Sequence, residues 1–86
     1  MNKDELKHIL DNERFSPRIY DLNGGMLNDR LCLSDEGGRW CVYYTERGIR
    51  FSEEWFDSES DACECLLHRL RDLPASETRL PRRKRG

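Results

Sequence analysis

Cys63-Glu64-Cys65 with His68 is the densest set of metal-ligand and nucleophile types in the chain. A structural zinc site needs four converging nitrogen or sulfur donors. On a helical wheel with Ala62 at zero, Cys63 falls at about 100°, His68 at about 240° and Cys65 at about 300°. The two cysteines therefore point almost oppositely. Cys65 and His68 supply two ligands at most, and Cys41 with Cys32 or His8 has to come from elsewhere to complete a set. The C-x-C spacing is also not that of a redox C-x-x-C. The cysteines are expected to act as small apolar side chains in or beside the core.

Carboxylates pair at Asp35/Glu36, Glu53/Glu54 and Asp57/Glu59. General acid–base work needs one carboxyl held in an apolar pocket with a raised pKa. These pairs sit in turns and on solvated edges. The glycine pairs at 24–25 and 37–38 lack the lysine and following helix of a phosphate-cradling loop. The expectation is a protein that is not an enzyme and uses no cofactor and no metal.

The remaining concentration is "RWCVYYTERGIRFSEEWF", residues 39–56, which holds both tryptophans, two of three tyrosines and two of three phenylalanines. Alternation over 39–45 makes this the clearest strand of the chain. Trp40, Val42, Tyr44 and Phe51 are expected to face inward. Tyr43, Arg47, Arg50, Glu53, Glu54 and Trp55 are expected to face outward. Trp55 continues the parity of Phe51, yet Phe56 is nearer the coming helix. A bulge or an early strand end near 52–54 resolves that conflict. Tyr, Trp and Arg are enriched at protein–protein hot spots. Tyr43, Glu46, Arg47, Arg50, Glu53, Glu54, Trp55 and Asp57 therefore form the candidate partner-binding set, an aromatic anchor inside an acidic rim.

The elements that position these residues follow from periodicity. Asn2 with Glu5 makes a capping box, and Leu6, Ile9 and Leu10 follow at helical spacing, giving a helix over about 3–13. Pro17 ends it. "RIYDL" and "RLCLS" read as strands joined by a turn at "NGG". "DEGG" and "ERG" are further turns, and "IRFSEEWF" is the fourth strand. Ser58 caps a second helix whose stripe is Ala62, Cys63, Leu66, Leu67, Leu70 and Leu73. Pro74 stops it. The fold class is α+β: a three- to four-stranded antiparallel meander flanked by an N-terminal and a C-terminal helix. It forms one domain over 1–73, followed by a basic, disordered segment over 74–86.

Charge narrows the function. The 86 residues carry 15 Lys/Arg and 17 Asp/Glu. Five of the basic residues (Arg79, Arg82, Arg83, Lys84, Arg85) lie in the final segment, leaving 10 against 17 in the body. An acidic body points away from nucleic acid as its ligand and favours a cationic partner. No run approaches the roughly 20 apolar residues of a membrane span, so no membrane partner is expected. The first ten residues lack the apolar stretch of a leader. A cytoplasmic location with reduced cysteines is the expectation.

Residues 37–70 resemble small immunity proteins of bacterial polymorphic and interbacterial toxin systems. The likeness lies in a W-x-V-Y-Y-x-E-R-G hairpin (Trp40, Val42, Tyr43, Tyr44, Glu46, Arg47, Gly48). It continues in F-x-[ST]-E-x-x-A-C leading into a leucine-rich helix (Phe56, Ser58, Glu59, Ala62, Cys63). The resemblance implies a non-enzymatic inhibitor that binds one cognate toxin domain, a nuclease or an NAD(P) glycohydrolase, one to one and blocks its active site. Two alternatives remain beside it. One is a small regulatory or adaptor protein that uses its basic tail for weak nucleic-acid contacts; the other is a zinc-dependent module.

Overall fold

The structure, a computed structural model, describes residues 1–81. Helix α1 spans Lys3–Asn12, and its capping box forms as the sequence predicts. The Asn2 side chain accepts from the Glu5 N–H at 2.9 Å, and the Glu5 carboxylate accepts from the Asn2 N–H. Helix α2 spans Glu59–Asp72, with Ser58 Oγ accepting from the Asp61 N–H at 3.1 Å. Strands β1 (Tyr20–Asp21), β2 (Arg30–Glu36), β3 (Arg39–Glu46) and β4 (Ile49–Phe56) form one sheet in the order β1-β2-β3-β4.

The fold is α+β, but the sheet is mixed. β2, β3 and β4 are an antiparallel meander, while β1 runs parallel to β2. "NGG" is thus not a hairpin turn. Residues 22–29 carry the chain back to the start of β2, a short return that suffices because β1 is only two residues long. Gly24 marks where this loop meets the sheet. Its φ is +63°, and a Cβ there would stand 2.8 Å from Ser34 Oγ, so only glycine fits without strain. The two hairpin turns are two-residue turns with positive φ at both positions, Gly37–Gly38 and Arg47–Gly48, the geometry that matches strand twist.

α2 lies across β2, β3 and β4, and α1 packs on α2. The core between these helices and the sheet is Leu6, Leu10, Phe15, Tyr20, Leu31, Leu33, Val42, Ala62, Cys63, Leu66, Leu67 and Leu70. Each fully buried leucine contributes about 1.5–3 kcal/mol. Five of the six stripe residues on α2 are buried. Leu73 is not, because α2 ends at Asp72 and Leu73 is already extended, 43% exposed.

The folded chain also continues past residue 73. Ala75–Thr78 form a short helix, α3, and Thr78 is buried. Residues 79–80 then pair with the segment after α1: the Ser16 N–H donates to Thr78 O, and the Leu80 N–H donates to Arg14 O at 2.7 Å. The Arg79 guanidinium stacks on Phe15 at 3.7 Å and pairs with Glu13. The boundary expected at 73 therefore falls later. The rest of the basic segment, residues 82–86, lies outside the described residues.

Candidate functional site

The aromatic stretch supplies both faces of the sheet. On the outer face, opposite the helices, Cys32, Cys41 and Tyr43 form a second buried cluster. The 22–29 loop roofs it. Tyr43 donates its hydroxyl to Gly25 O at 3.0 Å, Cys32 Sγ contacts the same carbonyl, and Thr45 donates to Leu27 O. Arg50 lies over the Tyr43 ring at 4.1 Å and is held there by Glu36 at 2.7 Å and Glu53 at 3.4 Å. Tyr43 is thus a core residue and not the outward anchor that alternation suggests. Strand parity places its side chain on the outer face correctly, but parity cannot show that a loop covers that face.

The bulge expected near 52–54 is present. Val42 pairs with Glu54 and Tyr44 with Phe51, so Ser52 and Glu53 together oppose Tyr43. Ser52 has φ +54°. Arg69 of α2 donates to the Ser52 carbonyl at 2.9 Å and also pairs with Glu54. The bulge resolves the Trp55/Phe56 conflict. Phe56 packs against the helix-side core, while Trp55 stays on the outer face, 41% exposed, with Arg39 over its ring at 5.2 Å. Asp57 pairs with Arg39 at 3.5 Å.

Phe51 departs from the expectation in the other direction. It shares the helix-facing side with Val42, Tyr44 and Phe56, yet it is 44% exposed. α2 ends before it reaches this row of the sheet. The result is a groove of about 460 Å³ lined by Leu31, Tyr44, Ser52, Glu54, Arg69, Asp72 and Leu73. Its floor is the cross-strand pair Leu31 and Tyr44, and Phe51, which pairs with Tyr44 on β4, adjoins it. Tyr44 donates its hydroxyl to Asp29 at 2.9 Å, which fixes the ring across the floor.

The eight candidate residues therefore do not converge on one site. Tyr43 and Arg50 belong to the covered outer face, with Glu53 beside them. Trp55 and Asp57 lie farther along the same face, under and beside Arg39. Glu54 lines the groove on the opposite face, and Glu46 and Arg47 sit at the β3–β4 turn. What the sequence missed is the groove itself. Its one signal in the sequence was the helix stop at Pro74; the pairing of Phe51 with Tyr44 shows only in the folded sheet.

The remaining reactive groups are poorly placed for chemistry. Burial pushes the thiols of Cys41 and Cys63 up to about 11, and those of Cys32 and Cys65 upward as well, so none is a ready thiolate. Among the described residues no three His, Cys, Asp or Glu side chains converge as metal ligands do. His68 is exposed and pairs with Asp72 at 3.4 Å. A second cleft, about 360 Å³, lies between α1 and the end of β1. It sets Lys3 and Lys7 beside Asp4 and Asp21, a mixed lining that favours no one ligand charge.

Comparison of the chain with protein families, curated proteins and solved structures yields no match. No helix among the described residues is long and apolar enough to cross a membrane.

The electrostatics of the folded surface sharpen the sequence reading. Residues 1–81 hold 11 Lys/Arg and 17 Asp/Glu. Six of those cations are bound to carboxylates of the same chain: Lys7, Arg39, Arg50, Arg69, Arg71 and Arg79. Such pairs cancel acid against base, so the excess of acid over base in residues 1–81 is carried by carboxylates without a cationic partner.

Proposed function

We propose that this protein is a non-enzymatic binding protein of the immunity type. It neutralises a cognate bacterial toxin domain, a nuclease or an NAD(P) glycohydrolase, by occluding its active site in a one-to-one complex in the cytoplasm. The observation that carries this reading is the excess of 17 Asp/Glu over 11 Lys/Arg in residues 1–81, which the internal pairing of six cations leaves unchanged. Such a surface speeds capture of a cationic partner and rejects anionic ones. The resemblance of residues 37–70 to immunity proteins names the partner class. The raised thiol pKa values and the solvated carboxylate pairs support a role without chemistry of its own.

The adaptor reading is weaker, because Arg79, one of its five basic residues, is already committed to Glu13 and Phe15. The test is co-expression. The C-terminal domain encoded by the gene immediately upstream is induced in a naive bacterium with and without this protein. The expected result is growth arrest by that domain alone and rescue by co-expression. Continued arrest in the presence of this protein overturns the proposal.

A further inference from the structure

The groove beside β4 has a shape and charge that specify an occupant. We propose that it receives a short amphipathic helix of the partner protein, presenting large apolar side chains flanked by Lys or Arg. This rests on the reading above and identifies the surface through which it acts.

The floor is apolar and graded. Leu31 is nearly buried and Tyr44 half-buried in the floor, and Phe51, paired with Tyr44 just outside the groove lining, is 44% exposed, so the apolar surface opens toward the β4 edge. Ile49, on the next row, is 57% exposed, and Leu73 forms the end wall. Large apolar side chains left open on a concave surface mark an interaction site.

The groove continues the layer that α2 fills. α2 covers the neighbouring part of the same sheet face and ends at Asp72, so the open stretch lies in the layer that a helix occupies next to it. Strand addition is the competing mode for an exposed edge. The bulge at Ser52 works against it. Positive φ breaks the ladder, and the Ser52 carbonyl is already taken by Arg69. A helix uses the side-chain groove and needs no backbone edge.

Charge sets the flanks. Asp72 lines the groove, Asp29 lies at the Tyr44 hydroxyl, and Glu46 closes the turn beside Ile49. Arg69, the cation of the wall, is neutralised by Glu54. Arg47 at the turn and Arg30 at the start of β2, which donates only to the Pro17 and Tyr20 carbonyls, are the cations of this end without a carboxylate partner among the described residues, against Asp29, Glu46 and Asp72. The mouth is therefore net acidic and complements a basic-flanked helix.

The experiment selects peptides from a phage-displayed random dodecapeptide library on the full chain. The expected consensus has large apolar residues at helical i, i+3/i+4 spacing with Lys or Arg outside them. Binding of enriched peptides should weaken at least about tenfold in Phe51→Ser, Leu73→Ser and Asp72→Lys. All three side chains are at the surface, so far-ultraviolet circular dichroism should not change. No enrichment, an acidic consensus, or peptides that bind the variants as well as wild type overturns the proposal. The same variants enter the co-expression assay. Wild type failing to rescue refutes the toxin reading alone. Wild type and all three variants rescuing equally well refutes the groove as its docking surface.

Discussion

Truncating Tyr43 measures whether its outer-face ring is a covered core residue or an open anchor. The ring is fully buried between the 22–29 loop and Arg50, and its hydroxyl donates to Gly25 O at 3.0 Å. Tyr43→Phe keeps the ring and loses one hydrogen bond, which costs about 1 kcal/mol. The Gly25 carbonyl retains its Cys32 contact, so the cost belongs at the low end of the range. For a domain of this size that lowers Tm by about 4–8 °C per kcal/mol. Tyr43→Ala removes the ring and leaves a cavity under the loop, costing about 3–5 kcal/mol. The whole domain is stable by about 4–13 kcal/mol at 0.05–0.15 kcal/mol per residue, so Tyr43→Ala consumes a large share of it. Urea unfolding followed by tryptophan fluorescence gives both values, and amide exchange shows whether residues 22–29 lose protection. A Tyr43→Ala protein that unfolds at the wild-type midpoint, with unchanged loop protection, refutes this reasoning. Tyr43 would then be a surface anchor after all.

Ending the chain at residue 73 removes α3 and the pairing of 79–80 with 14–16, at a cost of about 2–4 kcal/mol from the lost hydrogen bonds and the Arg79–Phe15 stack. Ending it at 81 should leave the urea midpoint unchanged, and equal midpoints for the two truncations exclude a docked α3. Arg47 occupies a left-handed position at φ +52° before Gly48, so Arg47→Asn, giving the preferred Asn-Gly turn, should raise stability by about 0.5–1 kcal/mol in thermal melts. Burial holds Cys41 and Cys63 at about 11, and Tyr43 at about 12, against ordinary values near 9 and 10. Their neutral forms favour the folded state, so this stability is complete below pH 9 and falls as pH rises toward 11–12. Cys41→Ala and Cys63→Ala should each flatten the early part of that fall in pH-dependent urea titrations. A stability that rises between pH 9 and 11 contradicts the assignment.

The helices were legible because their signals are local. The capping box at Asn2, the Ser58 cap and the 3.6-residue stripe of α2 depend on neighbours in sequence. The hairpins at Gly37–Gly38 and Arg47–Gly48, and the bulge at Ser52, were legible for the same reason. The parallel pairing of β1 was not, because Tyr20 and Asp21 look the same whichever way a two-residue strand is paired. Burial of Tyr43 and exposure of Phe51 were also hidden. Alternation assigns a side chain to a face, but whether a loop or a helix covers that face depends on where the 22–29 segment and the end of α2 come to rest. The docking of 74–81 escaped notice because its contacts, Thr78 with Ser16 and Arg79 with Phe15 and Glu13, cross more than sixty residues.

The claim that this protein is a stoichiometric inhibitor is tested most directly by titrating it into the purified upstream-encoded domain while that domain's own activity is measured. The account predicts a linear loss of activity that reaches zero at a one-to-one ratio, with that endpoint shifted to excess in Phe51→Ser and Leu73→Ser. Full activity of that domain in the presence of a tenfold excess of this protein contradicts it.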